Sequence, residues 1–408
     1  MWHVIVKYQC PVEGHPVVQN RRSSGQLHII WIYSGALAEA LDAATWLETA
    51  KHLRNFGRRV TLVAAGPDGY HQIRGVEVFC ISRPEIYLLR QFAFHGRVLR
   101  LIMRHWQTVD VVLFHQTSAL WLLPLRILRA PTTWRRPFMV LDIRSLFMPS
   151  KQGLKDRLRR VFGTVSLAAS RWVDGYLAIT SRMAESLLIP LERLWGIWPS
   201  GVNLEHFAPA QTARRWPSPE DPIDLAYIGV LHHERNLLTL SQAVVQANSE
   251  GIAFRLTLVG DGTAGEDLEK FAAQSIGQIR VIPPVPHDQV PEVLAHAHVG
   301  VLPFPDEEKF RVSSPIKLFE YMAAGLPILA TRIVCHTDVV GAGNYAFWAE
   351  QANMIGLLAA LRLVSQSREE LSRMGAQAAL AARAWTWQES AKKLRAALEY
   401  GMDMHNRT

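Results

Sequence analysis

Residues 27–64 read strand, loop, helix, strand, and that order leaves few folds open. Leu27–Tyr33 is an apolar, β-branched run, and 42–53 carries helical periodicity that Gly57 stops before Val60–Ala64 turns apolar again. Two strands joined through a helix lie parallel in one sheet, because the crossover is far too long for a hairpin. Parallel strands are covered on both faces, so a doubly wound α/β architecture is expected. Ligands of such sheets bind beyond the carboxyl ends of the strands, which makes Gly35 a candidate for close backbone approach. No Gly-x-Gly-x-x-Gly follows this strand, so a dinucleotide-binding oxidoreductase is disfavoured.

The alternation continues through Val76–Ile81, a basic amphipathic helix over 85–107, Val109–Phe114, Phe138–Leu141, a second basic helix over 153–173, and Gly175–Thr180. Pro209, Pro217, Pro219 and Pro222 then read as a linker. A second set of strands follows at 225–229, 255–259, 279–282, 299–302 and 327–330, with helical patterns between them. A chain of 408 residues exceeds what one core serves. The expected division is an N-terminal extension at 1–26, one doubly wound domain at 27–205, a second at 206–385, and a C-terminal helix and tail at 386–408.

The formal charge of +8 is uneven: residues 1–200 hold 26 Lys+Arg against 13 Asp+Glu, and the rest 18 against 23. Apolar helices flanked by arginine suit an anionic ligand or an anionic membrane surface, and buried crossover helices with solvated arginines fit equally. No recognised nucleic-acid module accompanies the charge, so nucleic acid is not an expected partner. Cys10, Cys80 and Cys335 lack paired spacing, which argues against a disulfide framework or a zinc site and fits a reducing cytoplasm. With neither a secretory signal nor a long apolar span, the expected location is the cytoplasm, at the inner face of the cell membrane.

The most fully punctuated stretch is Ser313–Thr331. Ser314 suits an N-cap, Pro315 the first helical position, and Gly325 a left-handed stop, with Pro327 forbidding continuation. A helix N-terminus presents unpaired N–H groups and the positive end of its dipole, which attract phosphate. Lys317 lies in the first turn, where the dipole disfavours a cation, so an anionic partner is expected. Glu320 lies further along the helix on the face of Ile316, within reach of whatever the helix end holds. A capped core helix with a solvated lysine and glutamate satisfies the same pattern.

Several motifs in order resemble one family. Trp198–Phe207 (WPSGVNLEHF) is similar to the inter-domain N-G-V-D-x-x-x-F segment of retaining GT-B glycosyltransferases. Tyr227–Gly229 with Arg235, Leu258–Gly262, the Ser313–Thr331 stretch and Trp385–Glu389 resemble successive parts of the nucleotide-sugar domain of glycosyltransferase family 4 and its relatives. The resemblance implies two Rossmann-like domains facing a cleft, with a C-terminal helix returning to the first. It implies a nucleotide-sugar donor whose diphosphate meets Arg235, Lys317 and the N–H groups near Ser314 and Ile316, over Gly229 and Gly260. Glu320 matches the second glutamate of the family's E-x7-E and would hold the ribose hydroxyls. Three departures stand out: Val312 replaces the first glutamate, Val230 replaces a phosphate-binding arginine, and Asp142 beside Arg144 replaces a first-domain histidine. Asp306, Glu307, Glu308, Ser313 or Ser314 are candidates for the lost glutamate, Arg311 or an arginine of the first domain for the lost arginine, and Asp142 for a strand-end cap or an acceptor-side catalytic group.

The reaction so implied is transfer of a sugar to a membrane-linked, polysaccharide or glycolipid acceptor with retained configuration. No cofactor or metal is expected, because the cations and the helix dipole meet the charge growing on the leaving phosphate. Two alternatives share the fold: a nucleotide-sugar epimerase and a non-catalytic assembly protein. His115, His232 and His233 read as loop histidines and Asp261 as a turn former.

Overall fold

The computed structural model describes residues 26–37, 43–84, 86–129, 137–146, 165, 168 and 170–407. Residues 1–25, which hold nearly all of the expected extension and Cys10, lie outside the described residues, as does most of the second basic helix.

The first sheet joins β1 (His28–Ile32), β2 (Arg59–Ala65), β3 (Gly69–Ile73), β4 (Val76–Ile81), β5 (Val111–His115), β6 (Phe138–Ile143), β7 (Gly175–Ala178) and β8 (Leu194–Ile197) in the order β3-β4-β2-β1-β5-β6-β7-β8. β1 is central and parallel to both neighbours, with Ile29 opposite Val60 and Val111. β3 is an antiparallel edge strand that sequence reading missed. Its burial alternates along Gly-Tyr-His-Gln-Ile, and so mixed a stretch reads as loop. The second sheet joins β9 (Ile223–Ile228), β10 (Phe254–Val259), β11 (Ile279–Ile282), β12 (Val299–Leu302), β13 (Ile328–Thr331) and β14 (Ala346–Ala349) in the order β11-β10-β9-β12-β13-β14, all parallel. The expected doubly wound pair of layers is what the chain builds, each sheet burying apolar side chains on its two faces.

The two units are laced together. The C-terminal helix Trp387–Arg407 leaves the second unit and buries Ala391, Leu394, Ala397 and Leu398 in the core of the first. Arg58 pairs with Glu399 across that contact. Thr180 donates its hydroxyl to the Val312 carbonyl (2.7 Å), and the bidentate pair Arg182–Asp338 (2.9 and 3.3 Å) joins the same edges.

The expected linker needs correction. Leu204–Ala213 is a helix with Pro209 inside it, capped by Asn203, whose Oδ1 accepts from the His206 N–H (3.3 Å). Phe207 and Ala210 bury one face, and tertiary contact overrides the proline signal. Arg214 follows with only 8% of its surface exposed. Its guanidinium donates to the carbonyls of Leu294 (2.8 Å), Ala297 (2.7 Å), Ala324 (2.7 Å) and Gly325 (2.9 Å). Those carbonyls lie at the C-terminal ends of the Val290–Ala295 and Ile316–Ala323 helices, where orphan acceptors and the negative dipole end favour a cation. Burial pulls the guanidinium down to about 10, which leaves it charged at neutral pH.

Replacing Arg214 by Met would keep bulk and orphan four acceptors. Arg214→Met is expected to cost about 3 kcal/mol or more. A thermal melt should show a Tm lower by roughly 6–12 °C for a unit of this size; a loss under about 2 °C would mean that water replaces the guanidinium.

Candidate functional site

The carboxyl ends of β9 and β10 open into two glycine turns that touch. Gly260, with φ +146°, lies so close to the Gly229 carbonyl that a Cβ there would collide with it. The turns are stitched by the Leu231 N–H to the Asp261 carbonyl (2.7 Å) and the Ala264 N–H to the Leu231 carbonyl (2.8 Å). His232 joins this loop through its Nδ1, which accepts from the Thr263 N–H (3.1 Å). The roles read for Asp261 and His232, a turn former and a loop histidine, match this placement.

Over this floor runs the Ile316–Ala323 helix. The stem of Lys317 passes Gly229, where a Cβ would stand 3.3 Å from Lys317 Cε. Glu320 is 5% exposed. Its Oε2 accepts from Lys317 Nζ (3.0 Å), and its Oε1 faces His287 Nε2 (3.5 Å). Burial alone would push this carboxyl up, but Lys317 and His287 outweigh it and hold it down at about 2. The anionic partner that the position of Lys317 demanded is therefore Glu320, one helical turn on. His287 was not anticipated: it comes from the loop after β11, its ring stacks on His206 (4.7 Å, 6°), and its carbonyl accepts from His206 Nε2 (2.9 Å). Nothing in the local sequence around 287 marks that pairing.

The helix start differs from expectation. Pro315 occupies the cap position with no side-chain cap, and Ile316 is the first helical residue. The Ser314 hydroxyl accepts instead from the Ser200 N–H (3.1 Å), on the segment between the domains, so it serves the inter-domain contact. The N–H groups of Ile316 and Lys317 sit in the first turn, where no helical carbonyl precedes them. Gly325, with φ +68°, ends the helix as read.

Arg235 lies at the start of the helix that follows β9, its Cζ 4.7 Å from the ring centre of Phe304 and 5.1 Å from that of Phe310. Its Nε is buried without a hydrogen-bond partner. Arg311, a candidate for the missing arginine, is engaged by both carboxylate oxygens of Asp306 (2.6 and 2.9 Å). Val312 is buried in the apolar cluster of the first domain. Gly35, past β1, offers its carbonyl to the Ala65 N–H (2.9 Å), and a Cβ there would press on the Tyr33 ring at 2.7 Å. Its glycine is thus required by its own domain.

Asp142 ends β6 with only 2% exposure, and its Oδ1 accepts from the Trp198 indole (2.9 Å). Trp198 is held edge-on by Trp31 (5.6 Å) and covered by the Arg144 guanidinium (3.7 Å). Arg144 also donates to the Trp198 carbonyl (3.3 Å) and the Ser200 hydroxyl (3.1 Å). This set braces the segment between the domains and keeps the carboxylate buried, an arrangement that fits a strand-end role for Asp142 better than an acceptor-side one. His115, its neighbour across β5–β6, is half-buried, and desolvation together with the Arg144 charge pulls it down to about 4. Burial pushes the Asp142 carboxyl up to about 6, against the opposing pull of Arg144 and Trp198. A carboxyl raised on folding favours the folded state while protonated. That advantage is full below about pH 4 and is lost as pH rises to about 6, a penalty of about 3 kcal/mol at neutral pH. Asp142→Asn keeps an acceptor for the indole without the charge. Denaturant unfolding should find it gaining on the parent between pH 4 and pH 6, with turnover retained; a hundredfold loss of turnover at unchanged stability would restore a chemical role.

The site can now be set beside known proteins. The family model for glycosyl transferases group 1 matches residues 210–381, and that for glycosyltransferase family 4 matches residues 43–206. A 2-deoxystreptamine glucosyltransferase of Streptomyces kanamyceticus is 25% identical over 261 residues, covering 59% of this chain and 64% of that protein. A D-inositol 3-phosphate glycosyltransferase of Streptomyces avermitilis is 28% identical over 266 residues, 61% of this chain and 56% of that protein. The matches thus span less than two thirds of either relative. The sucrose-phosphate synthase of Thermosynechococcus elongatus superposes with a TM-score of 0.71 at 15% identity, over 94% of this chain and all of that one. Two adjoining family models, the paired parallel sheets and the returning C-terminal helix agree: the chain belongs to the group 1 and family 4 glycosyltransferases and has the GT-B fold.

Proposed function

We propose that the protein moves a sugar from a nucleotide-sugar donor, held by the second domain, to a saccharide or lipid-linked acceptor met by the first. The observation that carries this reading is Glu320, a buried carboxylate held ionised at the mouth of the second sheet by Lys317 and His287. A permanently charged acceptor there suits a vicinal diol such as that of a ribose, whose two hydroxyls both donate. Lys317, the first-turn N–H groups and Arg235 offer positive charge for a diphosphate. They would act most strongly as negative charge grows on the leaving β-phosphate, which lowers the barrier to departure without a metal. Retention of configuration is the outcome the family resemblance favours, by attack on the face the diphosphate leaves. The names of the two relatives agree with sugar transfer.

The acceptor reading rests on the first domain. The helix Tyr87–Arg104 exposes Leu89, Phe92 and Met103, with Arg100 and Arg104 beside them and Ile86 at its start. Among the described residues no helix is long and apolar enough to cross a membrane. An apolar stripe framed by arginine supports peripheral contact with an anionic lipid surface, the inner face of the cell membrane. The epimerase and assembly-protein alternatives have no comparable observation.

Two measurements test this. In a titration panel of UDP, GDP, ADP and their sugars, one base should bind, and Glu320→Ala should weaken it by about tenfold or more. Unchanged affinity would sink the ribose assignment, and conversion of the donor sugar without acceptor would favour the epimerase. In vesicle sedimentation, the protein should pellet with phosphatidylglycerol and not with phosphatidylcholine, and Leu89→Ser with Phe92→Ser should weaken partitioning by about thirtyfold or more, as roughly 1–3 kcal/mol of apolar contact per side chain requires. Equal pelleting with either lipid would remove the surface from the argument.

A further inference from the structure

We infer that Phe304 and Phe310 are positioning residues for Arg235, an aromatic clamp that fixes its guanidinium as the diphosphate-receiving cation; the identity of the anion rests on the donor reading above. The two rings stack at 4.9 Å and 21°, and both residues are 4% exposed. Arg235 Cζ lies within 4.7 and 5.1 Å of their centres. The clamp is itself anchored, because Thr331 at the end of β13 donates its hydroxyl to the Phe304 carbonyl (2.6 Å).

The surrounding charges are arranged to leave Arg235 uncommitted. Glu234 is its neighbour in sequence, yet Glu234 is taken by Lys309 (2.9 Å), which also holds Glu307 (2.8 Å). Lys309 stands over Phe310 as well, 4.9 Å from its centre. Among the described residues Arg235 has no ion pair, and its buried Nε has no acceptor. Aromatic faces stabilise a guanidinium through the ring quadrupole but accept no N–H bond of the ordinary kind. They therefore strip water from the cation and restrict its rotamers while leaving its hydrogen-bonding capacity unspent. An anion that arrives meets a preorganised partner and loses less entropy than it would to a solvated arginine. Val230 stands where the family places a second arginine, so the orientation of this one carries more of the load.

The test is calorimetric titration of the full chain with inorganic pyrophosphate and with UDP, GDP and ADP. Phe310→Leu keeps an apolar side chain and removes the ring. It should lose about tenfold in pyrophosphate affinity, while Phe310→Tyr stays within about threefold. In an Arg235→Ala background, Phe310→Leu should cause no further loss, because its effect runs through the arginine. Should Phe310→Leu not fold, Phe304→Leu takes its place. Parental affinity in the leucine variant overturns the clamp and leaves the donor reading standing. Equal losses in the leucine and tyrosine variants, or a loss undiminished without Arg235, also overturn it, because they mark a purely structural role. Pyrophosphate binding with the expected pattern but no binding of any nucleotide sustains the clamp and removes the donor reading. If the parent binds none of these anions, both fall.

Discussion

A single guanidinium fixes the end of the helix that carries Lys317 and Glu320. Arg214 closes the orphan carbonyls behind Ala323 and behind Ala295 together, so two helices of the second domain share one terminus. The opposite end of the Ile316–Ala323 helix is tied to the first domain through Ser314 and Val312. Held at both ends, the helix fixes the heights of Lys317 and Glu320 above the glycine floor. A hydrophobic side chain at 214 could fill the space but could not satisfy four acceptors.

Much of this was legible in the chain, for identifiable reasons. The central strands of both sheets are short apolar runs bounded by glycine or proline, and buried parallel strands leave that mark. The need of Lys317 for an anionic partner followed from its unfavourable dipole position, but that Glu320 supplies it is visible only in the fold. What was not legible depends on distance in sequence. His287 reaches Glu320 from another loop, and nothing local in the sequence brings Phe304 and Phe310 together around Arg235. The helix at 204–213 hid behind its proline because its stability comes from Phe207, Ala210 and Arg214, not from propensity. At Asp142 a carboxylate at a strand end fits a cap or a ligand equally by sequence, and the Trp198 indole that claims it lies far along the chain.

Val312 shows how one substitution changes the use of a position. The resemblance places a sugar-binding carboxylate there. The side chain instead joins the apolar cluster of the first domain, and its carbonyl accepts from Thr180. A glutamate in that setting would bury an unpaired charge, so the position has passed from ligand contact to domain contact. No carboxylate side chain therefore stands at 312, and at the other end of the resemblance Val230 likewise replaces an arginine, while Arg235, Lys317 and Glu320 remain.

The chain crosses between the domains twice, and the crossings lie side by side. The Val202 N–H donates to the Trp385 carbonyl (2.8 Å), and the Trp387 N–H donates to the Val202 carbonyl (3.2 Å). Gly201 permits the contact, since a Cβ there would stand 2.6 Å from Trp387 N. Trp198 anchors one crossing in the first domain, and the Ser390 hydroxyl, donating to the Pro199 carbonyl, ties the other to it. The two crossings are bridged backbone to backbone at Val202 and Thr386, so a displacement of one carries the other with it, and the two connections act as one joint between the halves.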